Sequence, residues 1–394
     1  MFEKIYIHIG LPKTGSTAIQ NCMEALSRAG ELKVVSYPVF GAERDWQSIE
    51  SGNGAAIAEL LAPDITPEFC AVRLQEAFYE LLGACEPSSR VLLISSEHFF
   101  SAAAERFLLF KELLLKHAVD IELIMCARPL SEMCYSAYHQ FVKRHGCSLS
   151  YGSEWFSIFV GDLLFSRFES IGQWGVDGSI VRYKKQGLLG DFLSVIGEES
   201  NLAARFENRR VNRSLTESEL DLMLKINAVF ESKPLSMRIS DRWIYARPEV
   251  SSFETVHDVG ALYELFHLEV SARKDLYKIE AVRKLIEILG FGSGDGNDQS
   301  VCVGGGAGNK EAQSDELLLM ALDEIKHFMG LEAELGAYTN QLKVTKEAFD
   351  PVHYLLLNRD VLAAGVDPVL HYKEFGVAEG RDSAYSLTSA LFKL

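Results

Sequence analysis

The sequence contains no apolar run of about 18 residues, the length a membrane-spanning helix requires. It has no CxxC pair, no HxH or HExxH arrangement and no acidic calcium loop closed by glycine. The usual ligand spacings of zinc and calcium sites are therefore missing. A basic excess is missing too: 39 Lys+Arg stand against 55 Asp+Glu, for a net charge of −16. Such a chain is a poor general binder of nucleic acid or of an anionic membrane. An anionic ligand would have to be held in a local pocket of donors. The seven cysteines (Cys22, Cys70, Cys85, Cys126, Cys134, Cys147, Cys302) are scattered and odd in number, which points to buried thiols in a reducing compartment. Met1-Phe2-Glu3-Lys4 leads straight into an apolar alternation without a signal-peptide pattern, so a cytoplasmic location is expected.

What is present is a repeating pattern of short apolar strands and amphipathic helices. Strand-like runs fall at residues 4–10, 91–95, 121–127 and 179–183. Helical spacing follows each: after the first loop, then at about 103–117, 130–144 and up to about 196. This alternation predicts an α/β domain with a central parallel sheet covered on both faces. Beyond residue 200 the pattern turns helical, at 214–230, about 257–274 and 277–289. Either Ser214 with Glu217 or Thr216 with Glu219 supplies a capping box there. Residues 290–309 then hold eight glycines in twenty positions, a linker composition. The expected organisation is an α/β domain over 1–289, a Gly-rich linker over 290–314 and a small all-α C-terminal unit over 315–394. A chain of 394 residues exceeds one ordinary hydrophobic core, which agrees with that division.

In parallel sheets ligands lie beyond the carboxyl ends of the strands, so the chemistry is sought there. The first strand runs into Gly10-Leu11-Pro12-Lys13-Thr14-Gly15-Ser16-Thr17 and then a helix. Glycines allow close backbone approach, the helix N-terminus offers unpaired N–H groups, Ser16 and Thr17 add hydroxyls and Lys13 adds a charge. The spacing of Gly10 and Gly15 is that of a Walker A loop, but Ser16 stands where that motif has lysine, and Lys13 lies inside the loop. The third strand ends in Arg128-Pro129, with Ser136 eight residues on along a helix. A guanidinium fork and a hydroxyl can grip one phosphate. The second strand ends in Glu97-His98, either of which can take a proton from an attacking hydroxyl. His139 is a further candidate, and Phe99, Phe100, Trp155 and Phe156 would suit either a core or a wall for a sugar or lipid.

Pro12-Lys13-Thr14-Gly15-Ser16-Thr17 resembles the 5'-phosphosulfate loop of sulfotransferases that use 3'-phosphoadenosine-5'-phosphosulfate (PAPS), and Arg128 with Ser136 resembles their 3'-phosphate motif. The resemblance runs through separated motifs over about residues 1–230. It implies a P-loop-like three-layer fold and sulfuryl transfer from PAPS to a hydroxyl, with no metal required. It further implies that Lys13 contacts the bridging oxygen, that Gly15, Ser16 and Thr17 hold the 5'-phosphate and that Arg128 and Ser136 hold the 3'-phosphate. Glu97 is the favoured base and His98 the second. Arg209 or Arg210 would reach over the 3'-phosphate, although a solvated basic turn reads equally well there.

Residues 349–383 resemble a small helical repeat of bacterial surface-glycan proteins. They carry Tyr354-Leu355, Asn358-Arg359-Asp360-Val361, His371-Tyr372, Gly376 and Glu379-Gly380-Arg381, with Arg359 in place of the pattern's proline. This points to a saccharide or glycoconjugate acceptor, and a plain docking module fits the same residues. The alternatives are a P-loop NTPase or phosphotransferase, or a non-catalytic glycan-assembly protein that retains the fold.

Overall fold

The computed structural model describes residues 1–11, 13–40, 52–63, 67–86, 89–184, 186–206, 214–247, 259–290 and 310–340, together with selected positions between 351 and 381. Pro12, Arg209, Arg210, Cys302 and residues 291–309 of the expected linker lie outside the described residues.

Five parallel strands form one sheet in the order β2-β3-β1-β4-β5. They are β1 (Phe2–Gly10), β2 (Val35–Ser36), β3 (Val91–Ser96), β4 (Ala118–Ala127) and β5 (Gly178–Arg182). β1 is central, with Ile7 opposite Ile94 on one side and Leu123 on the other. Its alternation divides the core. Ile5, Ile7 and Ile9 pack into one cluster with Leu92, Ile94, Leu123 and Met125. On the other face Tyr6 packs with Leu93, Ile124 and Cys126.

Helices cover both faces. The second face carries α1 (Ser16–Arg28) through Ile19, Cys22, Met23 and Leu26, and α8 (Leu188–Val195) through Leu188, Leu189, Phe192 and Leu193. The first face carries the larger cluster. It is built from α2 (Ala55–Leu60), α3 (Pro67–Gly83), α4 (Ala104–Leu115), α5 (Leu130–His145), a helical run over 153–173 that contains α6 (Ser153–Ser157) and α7 (Ser166–Gln173), and the later helices α9 (Glu217–Phe230), α10 (Lys233–Ala246), α11 (Gly260–Ala272) and α12 (Glu280–Gly290). Among the described residues, no helix is long and apolar enough to cross a membrane.

The capping box at the start of α9 is the one from Thr216. Its hydroxyl accepts from the Glu219 N–H at 3.3 Å, and the Glu219 carboxylate accepts from the Thr216 N–H at 2.8 Å. β4 begins three residues earlier than the apolar run predicts. Asp120 and Glu122 interrupt that run in the sequence, but both pair with Lys4 on the adjacent strand, at 3.0 and 2.8 Å. The run over 153–173 includes a π-helical segment, Ile158–Phe165. Phe159, Val160, Leu163, Leu164 and Phe165 are all buried there, so no polar stripe marks its helical period.

The long helix α13 (Lys310–Asn340) packs on α10. Leu317, Ala321 and Phe328 are buried, and the Trp243 indole N–H donates to the Leu317 carbonyl at 3.3 Å. Glu324 pairs with Arg238 and Arg242, and Asp323 also pairs with Arg242. Further on, the residues of the repeat-like pattern gather on one another. The Tyr354 hydroxyl meets His371 Nδ1 at 2.9 Å, and Asn358 donates to the Tyr354 carbonyl at 2.8 Å. Arg381 donates to Asn358 at 3.3 Å, and a Cβ on Gly376 would lie 2.5 Å from the Tyr354 hydroxyl. That pattern of residues is thus the internal bonding of a small helical unit.

His8 is fully buried in mid-sheet. Its Nδ1 meets the Ser95 hydroxyl at 2.8 Å, and burial lowers its pKa to about 3. An unfolded histidine titrates near 6.5, so between these values the unfolded chain holds a proton that the folded chain refuses. Stability is therefore complete above about pH 6.5 and declines as pH falls towards 3. Between pH 7 and pH 5 this one group should remove roughly 2 kcal/mol. Urea unfolding of the wild type and His8→Gln at both pH values measures it, because all other groups titrate alike in the two proteins. Equal pH dependences would mean that the fold does not shift the His8 titration.

Candidate functional site

The carboxyl ends of β3, β1 and β4 lie side by side, and each bears one of the segments singled out in the sequence. Neighbouring strands are about 4.8 Å apart, so the outer two segments are separated by about 10 Å across the first loop.

The loop after β1 is shaped by its glycines. A Cβ on Gly10 would lie 2.1 Å from the Ser16 hydroxyl and 3.0 Å from the Glu97 Cβ. Glu97, in the 3₁₀ turn Glu97–Ser101 that follows β3, is therefore packed directly against the loop's entry. Gly15 has φ 87° and would bring a Cβ to 2.6 Å from Leu188. It is the N-cap of α1 and provides no side-chain cap, so the first N–H groups of that helix point into the loop. Lys13 also has a positive φ, 62°, in a region that costs a non-glycine residue about 1–2 kcal/mol. Two left-handed residues in such a turn rotate backbone N–H groups inward, which favours an anion.

The Lys13 conformation is held from both sides. Arg128 Nη1 donates to the Lys13 carbonyl at 2.8 Å, and the buried Thr14 hydroxyl donates to the Leu11 carbonyl at 2.8 Å. The Lys13 ammonium donates to the Gln140 amide oxygen at 3.3 Å. The side chain is half-buried, and desolvation lowers its pKa. Glu97 opposes that shift, and the charges of Arg128 and Arg144 reinforce it. An overall acidic chain thus concentrates cations at this strand edge.

Arg128, whose side chain is 13% exposed, lies at the end of β4. Its guanidinium stacks on the Tyr183 ring at 4.6 Å, and its Nη2 donates to Glu132 at 2.8 Å. Its Nε is buried and has no partner. Along α5, Glu132, Ser136 and Gln140 succeed one another at four-residue intervals on one face. The first contacts Arg128 and the last contacts Lys13, so half-buried Ser136 lies between two residues that face the loop. Thr14 and Ser16 are buried, with the Thr14 hydroxyl turned into the loop and the Ser16 hydroxyl towards Gly10; Thr17 is half-buried.

His98 is half-buried one residue beyond Glu97, and its N–H donates to the Ser96 hydroxyl at 3.2 Å. His139 is buried against the Tyr135 and Tyr138 rings, while Phe99, Phe100, Trp155 and Phe156 are core residues. Those five side chains therefore do not line an open site. Arg209, Arg210 and Pro12 lie outside the described residues.

Three residues of the site, Glu132, Tyr183 and Gln140, escaped the sequence reading. Tyr183 sits just past β5, its ring about 3.4 Å from where a Gly15 Cβ would be and beneath Arg128. The strand-end rule applied to the other segments would have found it. Gln140 was legible through its four-residue step from Ser136.

The arrangement supplies a backbone cradle, a lysine within it, an arginine beside it and a carboxylate across the entry. Among the described residues no group of three or more His, Cys, Asp and Glu side chains is placed to hold a metal. No protein-family model matches the chain, and no curated protein gives a significant match.

Proposed function

We propose that the chain is a sulfotransferase on a P-loop-like three-layer fold, moving the sulfuryl group of PAPS to a hydroxyl of a saccharide or glycoconjugate. The observation that carries the reading is the contact of Arg128 with the Lys13 loop. The two phosphate-binding segments expected from the sequence meet at adjacent strand ends, close enough to serve the two ends of one doubly phosphorylated adenosine. The glycines of the loop fit the reading: a Cβ on Gly10 would collide with Ser16 and one on Gly15 with Leu188, so the backbone can take this close-packed shape only without side chains there.

The residues then divide the work. The N–H groups of the loop and of α1 hold the 5'-phosphate, while Arg128 and Ser136 hold the 3'-phosphate. Glu97 accepts the acceptor's hydroxyl proton as the new S–O bond forms. Lys13 stabilises the charge left on the 5'-phosphate oxygen as the old S–O bond breaks. The products are a sulfate ester and adenosine 3',5'-bisphosphate. The saccharide class rests on the repeat-like residues around Tyr354, and a cytoplasmic location is part of the same proposal.

Thermal unfolding with adenosine 3',5'-bisphosphate tests the donor. A ligand at about 100 times its Kd stabilises a fold by about 2.7 kcal/mol, and the unfolding temperature should rise accordingly. ATP with magnesium should produce little change. A rise with ATP and magnesium alone would favour a P-loop NTPase or phosphotransferase and overturn this reading.

A further inference from the structure

Resting on that reading, we propose that Glu132 occupies the place of a ligand phosphate on Arg128 and thereby sets how tightly the site takes anions. Two of the five N–H donors of the Arg128 guanidinium and one of its faces are accounted for. Nη1 is committed to the Lys13 carbonyl, the ring of Tyr183 covers one face, and Nε is enclosed by protein. One N–H of Nη2 points to the Glu132 carboxylate at 2.8 Å. That is the distance at which a phosphate oxygen binds a guanidinium. A phosphate that binds the Nη2 edge therefore competes with the carboxylate for that position.

Glu132 is built to leave. Its side chain is 45% exposed against 13% for Arg128, and it lies in the first turn of α5, four residues from its partner. A rotation about its side-chain bonds frees Nη2 without moving the backbone. An exposed pair at this spacing is weak, so a doubly charged phosphate displaces it. The displaced carboxylate stays one helical turn away and repels the bound anion. Both effects lower affinity, and both vanish when the charge is removed. Glu132→Gln should bind adenosine 3',5'-bisphosphate about threefold to tenfold more tightly than the wild type. The gain should shrink at 0.5 M salt, roughly a 4 Å screening length, because its repulsive part is screened. If Glu132 merely oriented Arg128, the same substitution would weaken binding at every salt concentration.

The experiment is calorimetric titration of the full chain and of Glu132→Gln with two probes, adenosine 3',5'-bisphosphate and inorganic pyrophosphate, at low and high salt. Matching unfolding temperatures of the unliganded proteins establish that the variant is folded, and Glu132→Ala repeats the test without the amide. Tighter, salt-sensitive binding of either probe to the variants supports the proposal. Unchanged or weaker binding of both probes overturns it. If pyrophosphate binds the variants more tightly while the nucleotide binds no form, the Glu132 inference stands and the PAPS reading falls. If neither probe binds any form, both fall.

Discussion

Lys13→Ala should lower the rate constant for sulfuryl transfer on the order of a hundredfold to a thousandfold, equivalent to about 2–4 kcal/mol of transition-state stabilisation. The resting protein already makes the positive charge of Lys13 unfavourable. Burial lowers its pKa, and Arg128 and Arg144 press in the same direction against the opposing pull of Glu97. A cation held in that state gains most when negative charge appears beside it, which happens as the S–O bond to the donor phosphate breaks. The gain belongs to the transition state more than to the ground state, so the loss should appear in kcat more than in KM. The loop itself should survive the substitution. Its left-handed backbone at Lys13 is held by the Arg128 bond to the carbonyl, not by the lysine side chain. Adenosine 3',5'-bisphosphate should therefore still raise the unfolding temperature of the variant. Steady-state kinetics with radiolabelled PAPS and an oligosaccharide acceptor would check the rate, and a wild-type kcat would remove Lys13 from the chemistry.

The features legible in the sequence were those with a local signature. The loop from Gly10 to Thr17 announced itself through an apolar strand, two spaced glycines and an amphipathic helix, and the structure places those elements in that order. The α/β class followed from strands alternating with helices, and the all-parallel sheet agrees with it. What escaped depends on partners distant in the chain. β2 is two residues long and exists because β3 offers it an edge. The helix Lys233–Ala246 lacks a broad apolar stripe in the sequence, yet Trp243 is buried because α13 returns from more than seventy positions away to cover it. Glu132 looks like an ordinary first-turn acid until Arg128 is seen beside it. In the C-terminal unit the sequence pattern was visible, but its meaning was not: Tyr354, Asn358, His371, Gly376 and Arg381 bond to or pack on one another.

Glu97→Gln should have the largest effect of all, on the order of a hundredfold to ten-thousandfold in kcat, because it removes the base without removing the shape. Under the proposed function, the packing of Glu97 favours it over its neighbour. Its Cβ lies 3.0 Å from where a side chain on Gly10 would begin, and its charge acts on Lys13. The hydroxyl to be deprotonated must approach the sulfur held above that same lysine, so the carboxylate stands on the acceptor's path. His98 lies one residue further along the 3₁₀ turn. His98→Asn should accordingly change kcat only a few-fold. Donor binding should survive in both variants, and in Glu97→Gln it should if anything strengthen, since a negative charge has been taken from beside a cradle for anions. The paired measurement is turnover together with nucleotide-induced stabilisation. A large loss in His98→Asn with little in Glu97→Gln would transfer the base to the imidazole. Stabilisation by nucleotide with no turnover in the wild type or either variant would make the chain a non-catalytic glycan-assembly protein, and the carboxylate at the cradle's entry would then be only a counter-charge for Lys13.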